Sequence, residues 1–151
     1  MNVSMKVLGI QNEAEIDAFE RAILSAQPGD EFEKEMTTWK ARWRKEALAH
    51  YLQLGWSFGI WDTDEKLVGY SLGQPLLFFQ GFTQALWVDH ISAQNPEIFE
   101  KLIEISYRWA RDKHLQRVLF SASQIPVEIA GKTSLQPLSE DILQLKTSKY
   151  E

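Results

Sequence analysis

The spacing of apolar positions changes along the chain, and these changes predict a mixed set of strands and helices. KVLGIQ, residues 6–11, has the length of a short strand. Asn12, with Glu15 three residues later, is typical of a helix start. Four apolar positions then recur at helical spacing: Ile16, Phe19, Ile23 and Ala26. Residues 27–30, QPGD, break this pattern and end the first predicted helix.

A second amphipathic pattern predicts a helix over roughly residues 33–54, which Gly55 ends. Its apolar stripe is largely aromatic: Met36, Trp39, Trp43, Ala47 and Tyr51. The same stretch contains KARWRK, residues 40–45, and basic residues interleaved with tryptophan also occur where nucleic-acid bases stack. We favour an aromatic face packed on a sheet over a nucleic-acid site. The stripe has the spacing of a core face, and the chain as a whole is acidic.

In the middle of the chain the period drops to two, which predicts antiparallel strands. WSFGIW, residues 56–61, and LVGYSLG, residues 67–73, flank the turn DTDEK and predict a hairpin. We expect Pro75 to interrupt the second strand at a bulge or sheet edge, since proline cannot donate to a ladder. The apolar segment 75–82 then leads through a turn into a further strand, TQALWVDHI.

The period then returns to that of a helix. Asn95 is in capping position, Pro96 occupies the first helical position and Glu97 puts an acid in the first turn. RVLFSA, residues 117–122, follows this helix and has the length of a buried strand. A strand, a helix and a strand make a βαβ crossover, so the strands near 84–91 and 117–122 are expected to be parallel.

These elements predict an α/β (α+β) fold with a mixed, mostly antiparallel sheet, flanking helices and one parallel βαβ crossover. The length of 151 residues suggests a single domain over 1–151. We expect residues 124–151 to form an irregular tail, because prolines and a glycine punctuate it. DILQLKTS, residues 141–148, is the segment of this tail that favours a last strand.

The amino-acid composition excludes several kinds of functional site but does not identify one. The chain has no cysteine, which excludes disulfides, thiolate metal sites and a cysteine nucleophile. Its three histidines are widely spaced and match no metal-binding pattern. The formal net charge of -5 argues against a nucleic-acid partner, and no long apolar run points to a membrane. We therefore expect a cytoplasmic protein with an unidentified small molecule or protein as its partner.

Three strings, in this order of elements, resemble the GNAT superfamily of N-acetyltransferases. FGIWDTDEKLVGYSLG is similar to the second and third strands of that family, and ALWVDH to its fourth. LIEISYRWARDKHLQRVLFS is similar to the third helix and fifth strand. The likeness extends over roughly residues 5–123 and implies a GNAT-like fold, acyl-CoA-dependent N-acyl transfer and acetyl-CoA as cofactor.

In that family, the loop after the fourth strand holds the pyrophosphate of acetyl-CoA with glycine-rich backbone. Here Gln94 stands for the first motif residue, but both glycines are missing. Pro96 has no N–H to donate, Glu97 repels an anion, and Asn95 is expected to cap the helix with its own side chain. The turn is therefore predicted to be a poor diphosphate seat. The resemblance points to five tentative cofactor contacts: Val88, Ser92, Gln94, Asn95 and Ser121.

The family's fourth helix usually carries a tyrosine that protonates the leaving thiolate. SASQIPVEIAGKTSLQPLSE contains no tyrosine, so that role is not carried over, and the fourth helix is expected to be shortened or lost. Asp89 and His90 end the predicted fourth strand, where ligands commonly bind in α/β sheets. Because neighbours on a strand alternate, we expect them on opposite faces, with one as a base. The alternative, which the sequence favours, is that both are polar residues close to the loop that end the strand.

Segment 75–82 is apolar on both of its predicted faces. One face can pack on the domain, and the other is expected to meet a helix, a ligand or a second copy of the chain. The sequence thus leaves two functions open. The first is a GNAT-like N-acyltransferase with an atypical cofactor loop. The second is a catalytically inactive GNAT-derived module that binds or regulates a protein.

Overall fold

A computed structural model describes residues 2–26, 29–30, 32–33 and 45–147. Its strands are β1 (Ser4–Val7), β2 (Phe58–Trp61), β3 (Leu67–Phe79), β4 (Phe82–Ala93), β5 (Arg117–Ser121), β6 (Gln136–Pro137) and β7 (Ile142–Lys146). Its helices are α1 (Glu13–Ser25), α2 (Lys45–Leu52), α3 (Pro96–Asp112) and α4 (Val127–Lys132). Short 3-10 helices, Ile10–Asn12 and Ala122–Gln124, precede α1 and α4. Within these residues, none of the helices combines the length and the apolar character needed to span a membrane.

The described strands form one sheet in the order β1-β2-β3-β4-β5-β7-β6. Strands β4 and β5 are parallel and are joined by α3, whereas the other neighbouring pairs are antiparallel. The predicted fold class is therefore confirmed, together with the parallel crossover. The middle of the chain is the expected antiparallel run of β2, β3 and β4.

Helix α3 covers one face of the sheet. Its buried Ile98 and Leu102 pack with Val118 and Phe120 of β5. The close approach depends on Gly69 of β3, where an added Cβ would lie 2.6 Å from Ile98 Cγ2. The opposite face carries α1 and α2, whose core residues pack on β3 side chains: Ile16, Leu48 and Leu52 meet Tyr70 and Leu72.

The second predicted helix is only partly described. Residues 33–44, with the tryptophans of the expected aromatic stripe and most of the basic cluster, contain mainly positions outside the described residues. In the described part, Tyr51 of the predicted stripe is buried and Ala47 packs partly buried against the same core. Leu48, which the predicted stripe did not include, is also buried. The turn after α2 reaches Gly55 with φ of 76°, a conformation that suits glycine.

Two strand predictions are wrong in detail. β1 covers Ser4–Val7 rather than 6–11, because Leu8 turns inward and its amide donates to the Ser57 carbonyl at 2.8 Å. β3 continues through Pro75 without interruption. Its pairing with β2 ends at Ser71, so Pro75 lies on an outer edge that needs no donor there. The sheet edge that was expected at this proline is present, but the strand is not interrupted there.

The tail is also more ordered than predicted. Residues 124–151 were expected to be irregular, yet their described part contains α4, β6 and β7. Pro126 is the N-cap residue of α4 and Pro137 lies in the edge strand β6, positions that require no amide donor. The shortened fourth helix and the last strand within 141–148 are both confirmed, and β7 pairs with β5.

Candidate functional site

A β-bulge shapes the carboxyl end of β4. Leu72 of β3 pairs with His90, while Gly73 pairs with Val88, so Asp89 is an extra residue in β4. The bulge changes the alternation of side chains between the two faces. Val88 packs in the core beneath α3, whereas His90 contacts Glu20 of α1 on the opposite face.

The prediction that Asp89 and His90 point to opposite faces is wrong, because the bulge interrupts the alternation on which it rested. Asp89 Oδ1 accepts a hydrogen bond from Trp87 Nε1 at 3.1 Å. Trp87 packs with Ala85 and Leu119, on the sheet face away from α3. Both side chains of the predicted pair therefore lie on the face that carries α1.

His90 belongs to a polar cluster that is largely buried between α1, β3 and β4. The Tyr70 hydroxyl, which is fully buried, donates to Glu20 Oε1 at 2.6 Å. His90 Nε2 lies 3.4 Å from the same oxygen, and the Ser92 hydroxyl also bonds to this carboxylate. Three donors therefore converge on one buried carboxylate.

The cluster fixes the protonation states of Glu20 and Tyr70 at neutral pH. Burial by itself would raise the pKa of Glu20, but the hydrogen bonds from His90, Ser92 and Tyr70 outweigh it and lower the pKa from its ordinary 4.5. Burial, with the charge of Glu20, raises the pKa of Tyr70 well above its ordinary 10.0. Glu20 is thus a carboxylate, and Tyr70 is a neutral phenol that donates to it.

The carboxylate also fixes the orientation of the His90 imidazole. An ionised carboxylate only accepts hydrogen bonds, so His90 Nε2 carries the hydrogen in this contact. In a neutral imidazole Nδ1 then holds the lone pair and can accept a proton. The His90 side chain is 20% exposed, compared with 8% for Glu20, so the imidazole is the member of this pair that a ligand can reach.

The start of α3 is arranged quite differently. Asn95 Oδ1 accepts from the Ile98 amide at 2.9 Å, which confirms the predicted self-capping. The Gln94 amide donates to the Val68 carbonyl at 3.0 Å, Pro96 has no amide hydrogen, and Glu97 places its charge in the first turn. The residues present at this turn do not fit the diphosphate of a nucleotide cofactor, because few amides remain and the local charge is negative.

The five tentative cofactor contacts separate in space. Val88 is 1% exposed and its side chain lies in the core. Ser92 bonds to Glu20 rather than lining the turn, and Gln94 and Asn95 form the turn itself. Ser121 ends β5, and its hydroxyl lies 3.1 Å from that of Ser123. The structure thus joins His90 and Ser92 in one cluster and leaves the other contacts outside it.

Sequence reasoning missed Glu20 and Tyr70. Glu20 is four residues after the buried Ile16, so it lies on the apolar face of α1, where an unpaired acid is unexpected. That position was the available signal. The bulge also left a trace, since Leu86, Val88 and Ile91 point toward α3 with a step of three residues in place of two.

The described residues contain no group of three or more His, Cys, Asp or Glu side chains suited to hold a metal ion. A cavity of about 440 Å³ lies elsewhere, between α3 and the last strands. Its lining includes Glu100, Tyr107, Thr133 and Leu145, and none of the predicted site residues. The polar cluster, and not this cavity, therefore brings together the residues with chemistry.

Comparison with known proteins supports the fold through structure alone. None of the protein-family models and none of the curated proteins matches the sequence. A GNAT-family acetyltransferase from Listeria monocytogenes matches with a TM-score of 0.68 at 8% identity, covering 95% of this chain and 94% of that chain. Arylalkylamine N-acetyltransferase 2 from Aedes aegypti matches with a TM-score of 0.67 at 11% identity, covering 98% and 100%.

A GNAT-family acetyltransferase from Brucella melitensis, solved in complex with acetyl-CoA, matches with a TM-score of 0.63 at 17% identity. The alignment covers 97% of this chain and 89% of that chain. These likenesses show that the chain has the fold of the GNAT acetyltransferases, and they confirm the resemblance at that level. The low identities carry no residue's role from one protein to the other.

Proposed function

We propose that the chain is an N-acyltransferase-type domain in which His90 is the general base for an amine acceptor. The observation that carries this proposal is the contact of His90 Nε2 with the buried Glu20 carboxylate. Burying a charge at that depth costs folding free energy, so stability alone does not explain this carboxylate. Glu20 orients the imidazole, which leaves Nδ1 to remove a proton from an amine as the amine attacks the acyl carbon of a donor. The bond from that carbon to the donor's leaving group breaks, and the leaving group takes up a proton.

Acetyl-CoA is the acyl donor to test first, because a structural neighbour was solved in complex with it. The start of α3 does not fit its diphosphate, so a donor would have to be held by other parts of the chain. Amines are the acceptor class we favour, since an arylalkylamine N-acetyltransferase is among the structural neighbours. A cytoplasmic location stays a prediction.

The first experiment measures acetyl transfer to a panel of primary amines by wild type and His90→Ala. Loss of a general base is expected to lower kcat by about 10²–10⁴-fold. His50→Ala is the matched control. His50 is an exposed histidine on α2, and its Nε2 lies 2.9 Å from Gln74 Oε1. Equal activity of the two variants would overturn the role of His90.

The second candidate function is a catalytically inactive GNAT-derived module that binds or regulates a protein. The self-capped start of α3 favours it, because that turn satisfies its own polar groups. Calorimetry and thermal shift with acetyl-CoA separate the two functions, since a ligand that binds the folded state raises the melting temperature with its concentration. An unchanged melting temperature at millimolar acetyl-CoA would remove it as donor and favour the second function.

A further inference from the structure

The two helices that share the core beneath α3 differ greatly in length. α3 has 17 residues and α4 has 6, which correspond to about 25 and 9 Å of helix. Ile129 of α4 packs in the same core as Ile103 of α3. A short helix covers only part of the flank of a long neighbour. The cavity of about 440 Å³ lies beside α3, and the chain that follows α4 lines it with Thr133 and Ser134.

The cavity has the dimensions and the apolar lining of a small-molecule site. Its α3 side runs from Glu100 to Tyr107, which is two turns or about 10 Å along the helix. Ile103 and Leu145, which are 3% and 7% exposed, supply buried apolar lining. Ligand pockets in proteins commonly have volumes of about 300–1,000 Å³ and combine an apolar wall with a few polar groups. An elongated molecule with an apolar body therefore suits this cavity.

One polar group of the lining lacks a partner. The Thr133 amide donates to the Ile129 carbonyl at 3.2 Å and completes the end of α4. The Thr133 hydroxyl is buried and makes no hydrogen bond within the part of the chain that the structure describes. Such a hydroxyl costs free energy, which a polar group of a bound molecule would recover. One rotation about χ1 exchanges the hydroxyl with the methyl group, so the threonine can present its hydroxyl to a ligand.

The charged groups at the cavity favour a cation. Glu97, Glu100 and Glu104 follow one another at steps of three and four residues, which places them on one side of α3. Arg108 pairs with Glu104 at 2.6 Å, whereas Glu100 lines the cavity half-buried and has no ion pair among the described residues. Lys146 also lines the cavity but is exposed at the end of β7. Because water screens the exposed ammonium more than the half-buried carboxylate, the stronger attraction is for a positive charge at Glu100.

We propose that this cavity binds an elongated amphipathic amine, with its ammonium group at Glu100 and a second polar group at Thr133. The apolar body of the amine lies against the apolar lining between them. The cavity adjoins α3 on one face of the sheet, whereas the His90 side chain contacts Glu20 of α1 on the opposite face. An amine held here is out of reach of His90 and is not the acceptor of acyl transfer. The inference therefore does not rest on the proposed function.

The test measures by calorimetry the binding of three six-carbon probes: aminohexanol with its amine and hydroxyl at opposite ends, hexylamine and hexanoate. Hexylamine lacks the hydroxyl, and hexanoate carries the opposite charge on a similar chain. Wild type is expected to bind aminohexanol about fivefold more tightly than hexylamine, which is the effect of one hydrogen bond, and not to bind hexanoate. Tighter binding of hexanoate, equal binding of the two amines, or no binding of either amine at millimolar concentration would overturn the proposal.

Two substitutions assign the contacts of the amine. Glu100→Gln is expected to weaken binding of both amines about tenfold. Glu128→Gln is the matched control, because it removes an exposed acid of α4 outside the lining and is expected to leave both affinities unchanged. Thr133→Val is expected to abolish the preference for aminohexanol over hexylamine without lowering the melting temperature of the free protein, since no hydrogen bond is lost. Unchanged affinities in Glu100→Gln and Thr133→Val would contradict the proposal.

Hydrogen exchange locates the bound amine without any assay of activity. Aminohexanol is expected to slow exchange of the Thr133 amide in wild type, and to do so in His90→Ala as well. If His90→Ala abolishes amine binding and Glu100→Gln does not, the amine binds at the Glu20 cluster, and this inference fails while the proposed function stands. Amine binding that depends on Glu100 in a protein without acyl transfer would give the reverse result.

Discussion

The Glu20 cluster and the start of α3 flank the same end of β4, and they handle polar groups in opposite ways. Glu20 is a buried carboxylate that needs three donors from β3 and β4 to remain charged. Asn95 needs only the amide three residues later. A short-range cap is what helix stability alone favours, whereas a buried charge is rarely the most stable choice. We therefore expect the cluster to have a functional role and the start of α3 to have a structural one.

Removing the carboxylate is the most direct way to break this comparison. In Glu20→Ala the fully buried Tyr70 hydroxyl loses its acceptor, and we expect the unfolding free energy to fall by about 3 kcal/mol in urea titrations at pH 7. Asp17→Ala on the same helix is the control, because it breaks an exposed pair with Arg21 and should cost about 0.5 kcal/mol or less. Equal losses would show that the cluster contributes no more than a surface pair.

The same site predicts a dependence on pH. The pKa of Glu20 is lowered on folding from 4.5, so its ionised form stabilises the folded state above pH 4.5. This contribution disappears as the pH falls through the lower folded-state pKa. The stability advantage of wild type over Glu20→Gln, which does not titrate, is expected to shrink below pH 4.5. An advantage that stays constant down to pH 3 would contradict the charged assignment.

The start of α3 should respond more weakly. Asn95→Ala removes one cap and is expected to lower the unfolding free energy by about 1 kcal/mol, while Asn95→Asp keeps a capping oxygen and should change it by less than about 0.5 kcal/mol. Acetyl-CoA affinity, measured by calorimetry, should be the same for both. A large loss of affinity in Asn95→Ala would mean that the turn holds the cofactor after all.

The hairpin tip gives the smallest expected effect on stability and extends the comparison to an exposed apolar surface. Leu77 and Phe78 are 66% and 79% exposed, and we predict that segment 75–82 joins two copies of the chain. Phe78→Ser should change stability by less than about 0.5 kcal/mol, yet reduce the light-scattering mass from two chains to one. Val127→Ser, at a site 85% exposed on α4, should leave the mass unchanged. A wild-type mass of one chain at all concentrations would end the dimer prediction.

Local patterns predicted the elements, and long-range contacts decided the site. The shift from strand to helix spacing before Pro96, and the strand length of 117–122, were sufficient to predict the βαβ crossover. The partners of Glu20 lie 50 and 70 residues away, at Tyr70 and His90, and helix spacing alone could not identify them. Helix spacing could show only that Glu20, an acidic residue, lies on the apolar face of α1.

The errors share a physical cause. Pro75, Pro126 and Pro137 each suggested a break, but each lies where an amide donor is not required. Pro75 and Pro137 lie at edges of the sheet and Pro126 precedes the first turn of α4, which only the assembled fold shows. Likewise, the opposite faces expected for Asp89 and His90 followed from strict alternation. One extra residue in β4 is enough to invalidate that rule downstream.

The uninterrupted passage of β3 through Pro75 has a consequence for self-association. An outer strand with a full row of free donors is a template on which further chains can add, up to fibrils. Proline leaves a gap in that row, so continuous backbone pairing along this border of the sheet is discouraged. Two copies that meet at the tip would then be restricted to side-chain contact, which favours a closed pair over an open-ended polymer.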